Sequence, residues 1–379
     1  MLSRVKRHIS RHLNNISSWH TDRKIVVIES DDWGSIRMPS KEVYNKCLQA
    51  GYCVDDIAYE RYDSLASEDD LELLFDVLNK YKDRDGNPAV MTANILAANP
   101  DFDKIKSSGF EHYFYELITE TFKRYPNHSN NFHLWKQGLK EGVFYPQSHG
   151  REHLNVSLFM DALRKGDEDA LFGFEHRIPG MIPKDNPKEG NKFVESTRYF
   201  SQQDKVEKLS IILEGVDLFE ELMGYRSDTF IPPNYYWSPD FDKSMFAKGI
   251  RFYQGRRKMM EPLFNGSFKY YHRRLAEENK AGQKYLIRNA FFEPAMVKSG
   301  KEPVSSCLKD IAVAFRMKKP AVICSHRLNY VGFIDERNRD ENLALLHELL
   351  SAITKKWPQV EFLSSAQLGR LFQYNLMSY

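Results

Sequence analysis

The sequence contains few cysteines and no long apolar segment, and both features limit the class of protein. Four cysteines occur among 379 residues, and no two of them form a C-x-x-C pair; they are Cys47, Cys53, Cys307 and Cys324. In a chain of this length we expect reduced, buried thiols and not a disulfide framework. No apolar run approaches the roughly 18 residues that a membrane span needs, and no apolar signal-peptide core is present near the start. These absences predict a cytoplasmic protein without a membrane span.

A strong excess of one charge is also absent. The formal net charge is +2 with 28% charged residues, so the composition gives no reason to expect a nucleic-acid partner. The 42% of hydrophobic residues fits a globular protein with a sizeable core. Aromatic residues make up 13%, which suits a cleft for sugar rings and equally suits an ordinary core. The oligomeric state leaves no mark in the sequence.

Residues 1–22 form a basic arm in which apolar residues recur at three- and four-residue steps. This spacing predicts an amphipathic helix. The helix either packs on the main domain or makes a peripheral contact with an anionic membrane surface.

Residues 23–379 alternate between short apolar strands and amphipathic helices, which predicts one α/β domain with a mostly parallel sheet, open or closed into a barrel. The predicted strands are KIVVIESDD (24–32), PAVMTANIL (88–96), VFYPQSHG (143–150), SDTFIPPN (227–234), PAVICSHR (320–327) and VEFLSS (360–365). The predicted helices are 67–81, with Ser67 as N-cap, 110–125, 205–224 and 340–357.

Two insertions interrupt this alternation, near 165–200 and near 255–285. The first contains a stretch rich in Pro, Gly and Lys at 178–192, which predicts a loop or lid. The second mixes basic and aromatic residues. It is either a hairpin that lines a cleft for an acidic glycan or a solvated basic excursion.

Ionisable residues follow three of the predicted strands. The pair Asp31 and Asp32 ends the first strand, His149 and His153 follow the third, and His326 ends the PAVICSHR strand. The carboxyl ends of parallel strands meet at one edge of such a fold. Two imidazoles four residues apart lie on one side of a helical turn, and with a carboxylate they form a common catalytic zinc set. A histidine at a strand end can serve as a general acid.

These residues resemble the polysaccharide deacetylase family, the NodB-like carbohydrate esterases. ESDDWG, SHGREH and ICSHR are similar to motifs 1, 2 and 5 of that family, in the same order, from about residue 25 to about residue 370. The resemblance implies a distorted (β/α) barrel of seven or so parallel strands that holds one divalent metal ion. Zinc is expected first, with cobalt, manganese and nickel as alternatives. It implies Asp31 as the general base, Asp32, His149 and His153 as metal ligands, and His326 as the general acid.

The motifs depart from the family pattern, which indicates a divergent member. Gly150 stands where the family has Ser or Thr, and Ile231 stands where it has the Arg before Pro-Pro. Either Arg226 or Arg288 could therefore orient the base. Further candidates for binding or orienting the substrate are Trp33, Asn94 and Asn234.

The sequence thus predicts removal of an N-acetyl group, or less readily an O-acetyl group, from a saccharide, with metal-bound water as the nucleophile. One alternative is a zinc peptidase with the inverted H-x-x-E-H motif, in which Glu152 is the base. In the deacetylase reading, Glu152 instead points away from the metal and pairs with an arginine. Another alternative is a glycan-binding relative without catalysis.

Overall fold

The computed structural model describes residues 9–297 and 302–374. The strands are β1 (Lys24–Trp33), β2 (Met91–Ile95), β3 (Ala98–Pro100), β4 (Tyr115–Leu117), β5 (Phe144–Ser148), β6 (Thr229–Phe230), β7 (Phe252–Gly255), β8 (Lys258–Pro262), β9 (Phe268–His272), β10 (Lys284–Ile287), β11 (Ala290–Phe291), β12 (Ala321–His326) and β13 (Val360–Phe362). The α-helices are α1 (Lys41–Gln49), α2 (Ala58–Tyr62), α3 (Glu68–Asn79), α4 (Phe102–Ser107), α5 (Ile118–Lys123), α6 (Asn131–Glu141), α7 (Val156–Arg164), α8 (Glu168–Glu175), α9 (Gln202–Met223), α10 (Asp242–Ala247), α11 (Pro303–Arg316), α12 (Glu336–Lys356) and α13 (Ser365–Tyr374).

A parallel sheet forms the centre of the molecule. Its strand order is β10-β7-β6-β5-β2-β1-β12-β11, and β13 pairs with the start of β1. The stretch from Lys284 to Phe291 pairs with β7 through β10 and with β12 through β11, so one continuous segment joins the two ends of the sheet. With β10 and β11 taken as one position, the ring β1, β2, β5, β6, β7, β10/β11 and β12 has seven positions. The predicted fold class, a distorted barrel of parallel strands, is confirmed.

Strand β1 shows why the sheet is parallel and buried. Val26 and Ile28 belong to one hydrophobic cluster and Ile25 and Val27 to another, so both faces of the strand are covered. A strand buried on both faces reads as a continuous apolar run, which is the pattern KIVVI in the sequence. The two clusters hold β1 between its neighbours β2 and β12.

Most helices lie where the apolar spacing predicts them, and α3 begins at the predicted cap. The hydroxyl of Ser67 accepts a hydrogen bond from the backbone N–H of Asp70, and the Asp70 carboxylate accepts one from the backbone N–H of Ser67. The prediction of a single helix over 110–125 is wrong. Strand β4 occupies Tyr115–Leu117 and pairs antiparallel with β3, and only α5 is helical. Strand pairing here overrides the local helical preference.

The two insertions have different structures. In the first, the stretch predicted as a loop at 178–192 contains no strand or α-helix, and short 3-10 turns lie at Pro187–Glu189 and Lys192–Val194. In the second, β8 and β9 form an antiparallel hairpin, and its role in lining a cleft for an acidic glycan stays a prediction.

The N-terminal arm is described from residue 9 onward. Residues 9–13 are helical, and Arg11 forms an ion pair with Asp310 of α11. Residues 1–8 of the predicted arm lie outside the described residues, and its membrane contact stays a prediction. Within the described part of the chain, no helix is both long and apolar enough to cross a bilayer.

Helix α9 packs closely against the loop that carries the two histidines. A Cβ at Gly215 would lie 2.6 Å from the carbonyl carbon of Gly150. We expect Gly215→Ala to lower the free energy of unfolding by about 1–3 kcal/mol, because a backbone atom must move to admit the methyl group. Chemical denaturation measures this change.

The control is Ser210→Ala, at an exposed position of the same helix. It should alter the free energy of unfolding by less than about 0.5 kcal/mol. Since alanine is favoured over glycine in a helix by roughly 1 kcal/mol, a gain of stability in Gly215→Ala would contradict the close contact.

Candidate active site

A β-bulge brings both acids of the first motif into one cavity. Successive side chains of a strand normally point to opposite faces. Here the register between β1 and β2 shifts between Ser30 and Trp33, and Asp32 adopts φ 74°. Aspartate tolerates this left-handed conformation better than most residues. As a result, Asp31 and Asp32 both line the same cavity.

The two histidines lie in the loop between β5 and α7. Backbone hydrogen bonds fix this loop to the chain after β2: His149 N–H donates to the carbonyl of Ile95 (2.8 Å), and the Gly150 carbonyl accepts from Ala97 N–H (3.2 Å). Residues 149–154 are not helical, so the loop and not a helical turn positions the two imidazoles. The loop brings the two rings together, with centroids 5.3 Å apart.

Asp32, His149 and His153 form a cluster that could hold a divalent cation. One ligand atom from each lies within 4.8 Å of the others. The Nε2 atoms of His149 and His153 lie 3.4 Å and 3.7 Å from Oδ1 of Asp32. The Nδ1–H of His149 donates to the carbonyl of Ile231 (2.8 Å), which leaves Nε2 as the free ligand atom, a common arrangement for metal-binding histidines.

The charge states of this cluster also suit a cation. Burial and the charge of Arg37 lower the pKa of His153 to about 3, so its ring is neutral, the form that binds metals. Burial by itself raises the pKa of Asp32, but contacts with His149, His153 and Arg37 outweigh it and hold the pKa well below its usual value. Two imidazoles and one carboxylate therefore fit zinc or a similar ion.

Asp31 is held by a buried arginine. The Nη2–H and Nη1–H groups of Arg288 donate to Oδ1 and Oδ2 of Asp31 at 2.6 Å and 2.7 Å, and the Nδ2–H of Asn94 donates to Oδ1 at 2.7 Å. The Nε–H of Arg288 donates to Glu29 at 2.6 Å. Burial raises the pKa of Asp31, but the charge and hydrogen bonds of Arg288 outweigh it and bring the pKa to about 2. Asp31 is ionised at neutral pH.

The two arginine candidates thus lie in different places. Arg288 contacts Asp31, whereas Arg226 is exposed and pairs with Glu220 (3.0 Å). Of the two candidates, Arg288 is the one in a position to orient Asp31. Arg288 lies just after the end of β10. It is far in sequence from the Pro-Pro motif, near which the family arginine is expected and which led to Arg226 as a candidate.

His326 faces Asp31 from the neighbouring strand. The two residues are register partners of β12 and β1, and Nε2 of His326 lies 3.6 Å from Oδ2 of Asp31. Its Nδ1 lies 2.6 Å from Oε1 of Glu293, and Asn329 donates to Oε2 of the same carboxylate (2.8 Å). Burial lowers the pKa of His326, but Glu293 and then Asp31 outweigh it and raise the pKa to about 10. His326 is a protonated imidazole at neutral pH.

A cavity of about 300 Å³ is lined by Asp31, Asp32, His149, His153 and His326. Asn234 lies at its wall, at φ 55°. Trp33, a candidate for substrate binding, instead lies in the hydrophobic core, where its ring packs on Phe144 at 5.0 Å. The remaining lining residues are Arg37, Ile57, Tyr59, Glu60, Ile182, Gly190, Asn191, Val194, Ile231, Pro232, Tyr235, Arg256 and Met296.

Several residues of the site escaped the sequence analysis. Arg37 and Tyr59 come from the long connection after β1 and carry no local pattern. Glu293 has a weak sequence signal, because it directly follows the short stretch NAFF (289–292), which contains β11. An acid after a strand end is the same signal that marked Asp31.

Glu152 lies outside the cavity walls and is paired. Its carboxylate accepts from Nε–H and Nη2–H of Arg151 at 2.6 Å and 2.8 Å, and Arg151 also contacts Glu214. This agrees with a structural Glu152 that pairs with an arginine.

Fold and site together define an α/β barrel with a candidate metal-binding centre at the carboxyl ends of its strands. No model of a known protein family matches the chain. No curated protein matches it either. Solved structures do match. A protein assigned as a glycoside hydrolase/deacetylase from Parabacteroides distasonis shares 8% identity over 94% of this chain and 73% of its own, with a TM-score of 0.51.

Two further structures match over nearly their whole length. A protein assigned as a polysaccharide deacetylase from Pseudomonas aeruginosa PAO1 has 10% identity over 94% of this chain and 93% of its own, with a TM-score of 0.49. Puue allantoinase has 12% identity over 95% and 94%, with a TM-score of 0.49. The match to the Parabacteroides distasonis structure, with a TM-score above 0.5, shows that the resemblance to deacetylase-type structures holds at the level of the fold.

The cluster predicts which substitutions remove a bound ion. His149→Ala and His153→Ala should each bring zinc content after dialysis close to background, because each removes one of three protein ligands. Asp32→Asn should weaken binding, since a neutral amide is a poorer ligand. Elemental analysis of the purified protein measures the content.

The matched control is the double variant His112→Ala/His133→Ala, which removes two exposed imidazoles away from the cavity. It should keep the metal content of the wild type. Full metal in a His149→Ala/His153→Ala double variant would show that the cluster is not the metal site.

Proposed function

We propose that the protein is a metal-dependent hydrolase that removes acetyl groups from the nitrogen, or less readily the oxygen, of a saccharide. The observation that carries this proposal is the arrangement of a candidate cation site and two oppositely charged groups in one cavity. Asp32, His149 and His153 offer a cation site, while Asp31 and His326 flank it with opposite charge and separate partners. The fold shared with the Parabacteroides distasonis protein, which is assigned as a glycoside hydrolase/deacetylase, supports the proposal.

A divalent cation bound by the three ligands would polarise the acetyl carbonyl and lower the pKa of a bound water molecule. The base is Asp31, and its hydrogen bonds indicate which oxygen is available. Oδ1 accepts from both Asn94 and Arg288, whereas Oδ2 accepts one bond from Arg288. A carboxylate oxygen has two lone pairs, so Oδ2 retains room for the proton of the attacking water.

The acid is His326. Glu293 holds its Nδ1 side, so the proton on Nε2 faces the cavity. An amine leaves poorly unless it is protonated, and the raised pKa of His326 keeps that proton in place until the carbon–nitrogen bond breaks. Environments that separate the pKa values of two neighbouring groups are typical of acid–base pairs in active sites.

The loop geometry disfavours the peptidase alternative. The inverted peptidase motif needs a helix and a free glutamate, but residues 149–154 form a loop, and Glu152 is occupied by Arg151. The cavity of about 300 Å³ lies at the small end of the range for small-molecule sites, which suits a compact substrate group.

Two substitutions separate the deacetylase from the peptidase. Asp31→Asn should lower acetate release from the N-acetylated saccharide that the wild type hydrolyses fastest by about 100- to 10,000-fold, the usual contribution of a general base. Glu152→Gln should keep most of the activity. Acetate is measured with a coupled enzymatic assay, and thermal unfolding checks that both variants are folded. Cleavage of a casein-like substrate by the wild type, lost in Glu152→Gln alone, would decide for the peptidase.

The acid role predicts a pH dependence. His326 must be protonated, so turnover should fall on the alkaline side as pH rises through its pKa. Glu293→Gln removes the main cause that raises this pKa, and the alkaline limb should move to lower pH by about 1–3 units. The measurement is turnover against pH for both proteins. An unchanged limb would exclude His326 as its origin.

His326→Ala provides the matching test of the leaving group. It should slow release from an N-acetyl sugar far more than from an activated aryl acetate, because an aryl oxide leaves without a proton. Equal loss on both substrates would make His326 a binding or structural residue.

A further inference from the structure

A second cavity, of about 540 Å³, opens beside the catalytic one. Its polar wall comes from Arg256 and Arg257, which directly follow the end of β7, and from Lys258 and His272 of the β8–β9 hairpin. We call this space the basic cavity. Because β7 is parallel to the other strands, its carboxyl end brings these cations to the same edge of the sheet as the catalytic groups.

Arg288 also lines the basic cavity, but Asp31 and Glu29 hold it; the other three permanent cations of the cavity have no acidic partners among the described residues. Within residues 9–297 and 302–374, no carboxylate oxygen lies within 4 Å of the charged nitrogens of Arg256, Arg257 or Lys258. Elsewhere in the same insertion, Lys269 is within 4.0 Å of Glu261, and Arg273 is within 3.3 Å of Glu277. The cavity therefore contains three neighbouring cations without an acidic partner in the described part of the chain.

Arg256 connects the two cavities. Its guanidinium carbon lies 4.9 Å from the ring centroid of Tyr235, which lines the catalytic cavity, and 5.5 Å from that of Phe291, which lines the basic cavity. The hydroxyl of Tyr235 accepts from Arg288, the residue that holds Asp31 (3.1 Å). An anion in the basic cavity therefore lies next to whatever occupies the catalytic cavity.

Apolar side chains also line the basic cavity. Ile9 and Leu13 of the N-terminal helical segment are 52% and 37% exposed, and they line it together with Phe291 and the polar Ser10 and Asn14. A lining with both cations and apolar side chains suits an anionic group that carries an apolar substituent.

We propose that the basic cavity binds a phosphate or diphosphate ester, so that the substrate is an acetylated sugar phosphate and not a neutral polysaccharide. This inference rests on the proposed deacetylase function. Guanidinium groups bind phosphate oxygens in pairs, and three cations match a diphosphate better than a single carboxylate. The phosphate is part of either a lipid-linked or a nucleotide-linked sugar, and both present the same group to the cavity.

The test is binding of inorganic pyrophosphate, measured by isothermal titration calorimetry on the full chain. Arg257→Gln/Lys258→Gln should weaken binding at least about tenfold, since each cation that neutralises a phosphate charge contributes to affinity. The control Lys269→Gln/Arg274→Gln removes the same charge from the same insertion outside the cavity and should bind as the wild type does. Arg256 is left intact because it also lines the catalytic cavity. Equal affinity in the two double variants, or no binding by the wild type, would overturn the proposal.

Two further ligands identify what the phosphate carries. Dodecyl phosphate below its micellar concentration represents a lipid, and uridine monophosphate represents a nucleotide. Each ligand should bind Arg257→Gln/Lys258→Gln more weakly than it binds the wild type. The ligand that the wild type binds more tightly indicates whether the phosphate is lipid-linked or nucleotide-linked. Neutral octyl glucoside should not compete with pyrophosphate; competition would show that the cavity selects the apolar chain alone and would overturn the phosphate site.

The binding data stand apart from catalysis. Suppose that the wild type released no acetate from any sugar, but that only the Arg257→Gln/Lys258→Gln variant bound pyrophosphate more weakly. The deacetylase function would then fail and the phosphate site would stand. If the wild type deacetylated neutral chitooligosaccharides and pyrophosphate binding did not depend on Arg257 and Lys258, the opposite would hold.

Discussion

The ion pairs of Arg288 with Asp31 and Glu29 are the interaction on which the rest of the structure depends. All three side chains are buried, and the guanidinium is fully enclosed. Glu29 in turn accepts a hydrogen bond from Ser365 at the start of α13 (2.7 Å). One arginine thus links β1 to the segment that joins the two ends of the sheet and, through Glu29, to the C-terminal helix. A buried charge left without its partner costs about 3–5 kcal/mol, so barrel closure and the charge of Asp31 are coupled.

Separate fixed partners give the neighbouring groups Asp31 and His326 opposite charges. Asp31 and His326 are register partners only 3.6 Å apart at their nearest charged atoms. Arg288 keeps the first ionised, and Glu293 keeps the second protonated. Each group has its own fixed partner on the side away from the cavity. Both enter the cavity in the charge state that the proposed reaction needs, without reorganisation of solvent.

The sequence predicts much of the fold and the centre of the site because both depend on local patterns. Apolar runs mark β1 and β12, and ionisable residues at their ends mark Asp31, Asp32 and His326. The roles of these residues and of the two histidines stay predictions until they are measured.

Other features depend on tertiary contacts and leave no local mark. Strand β4 forms because β3 supplies a pairing partner, against the helical pattern of 110–125. The partner of Asp31 comes from 257 residues away, so no spacing near the motif could separate Arg288 from Arg226. Trp33 directly follows Asp32 in the first motif, but the bulge at Asp31–Asp32 that places both acids in the cavity leaves its ring in the core.

The most direct test of the account is acetate release from a panel of N- and O-acetylated saccharides by the wild type, before and after treatment with a chelator. The account predicts release that the chelator abolishes and that added zinc or cobalt restores. Release that is unaffected after the metal has been shown by elemental analysis to be gone would contradict a metal-dependent deacetylase.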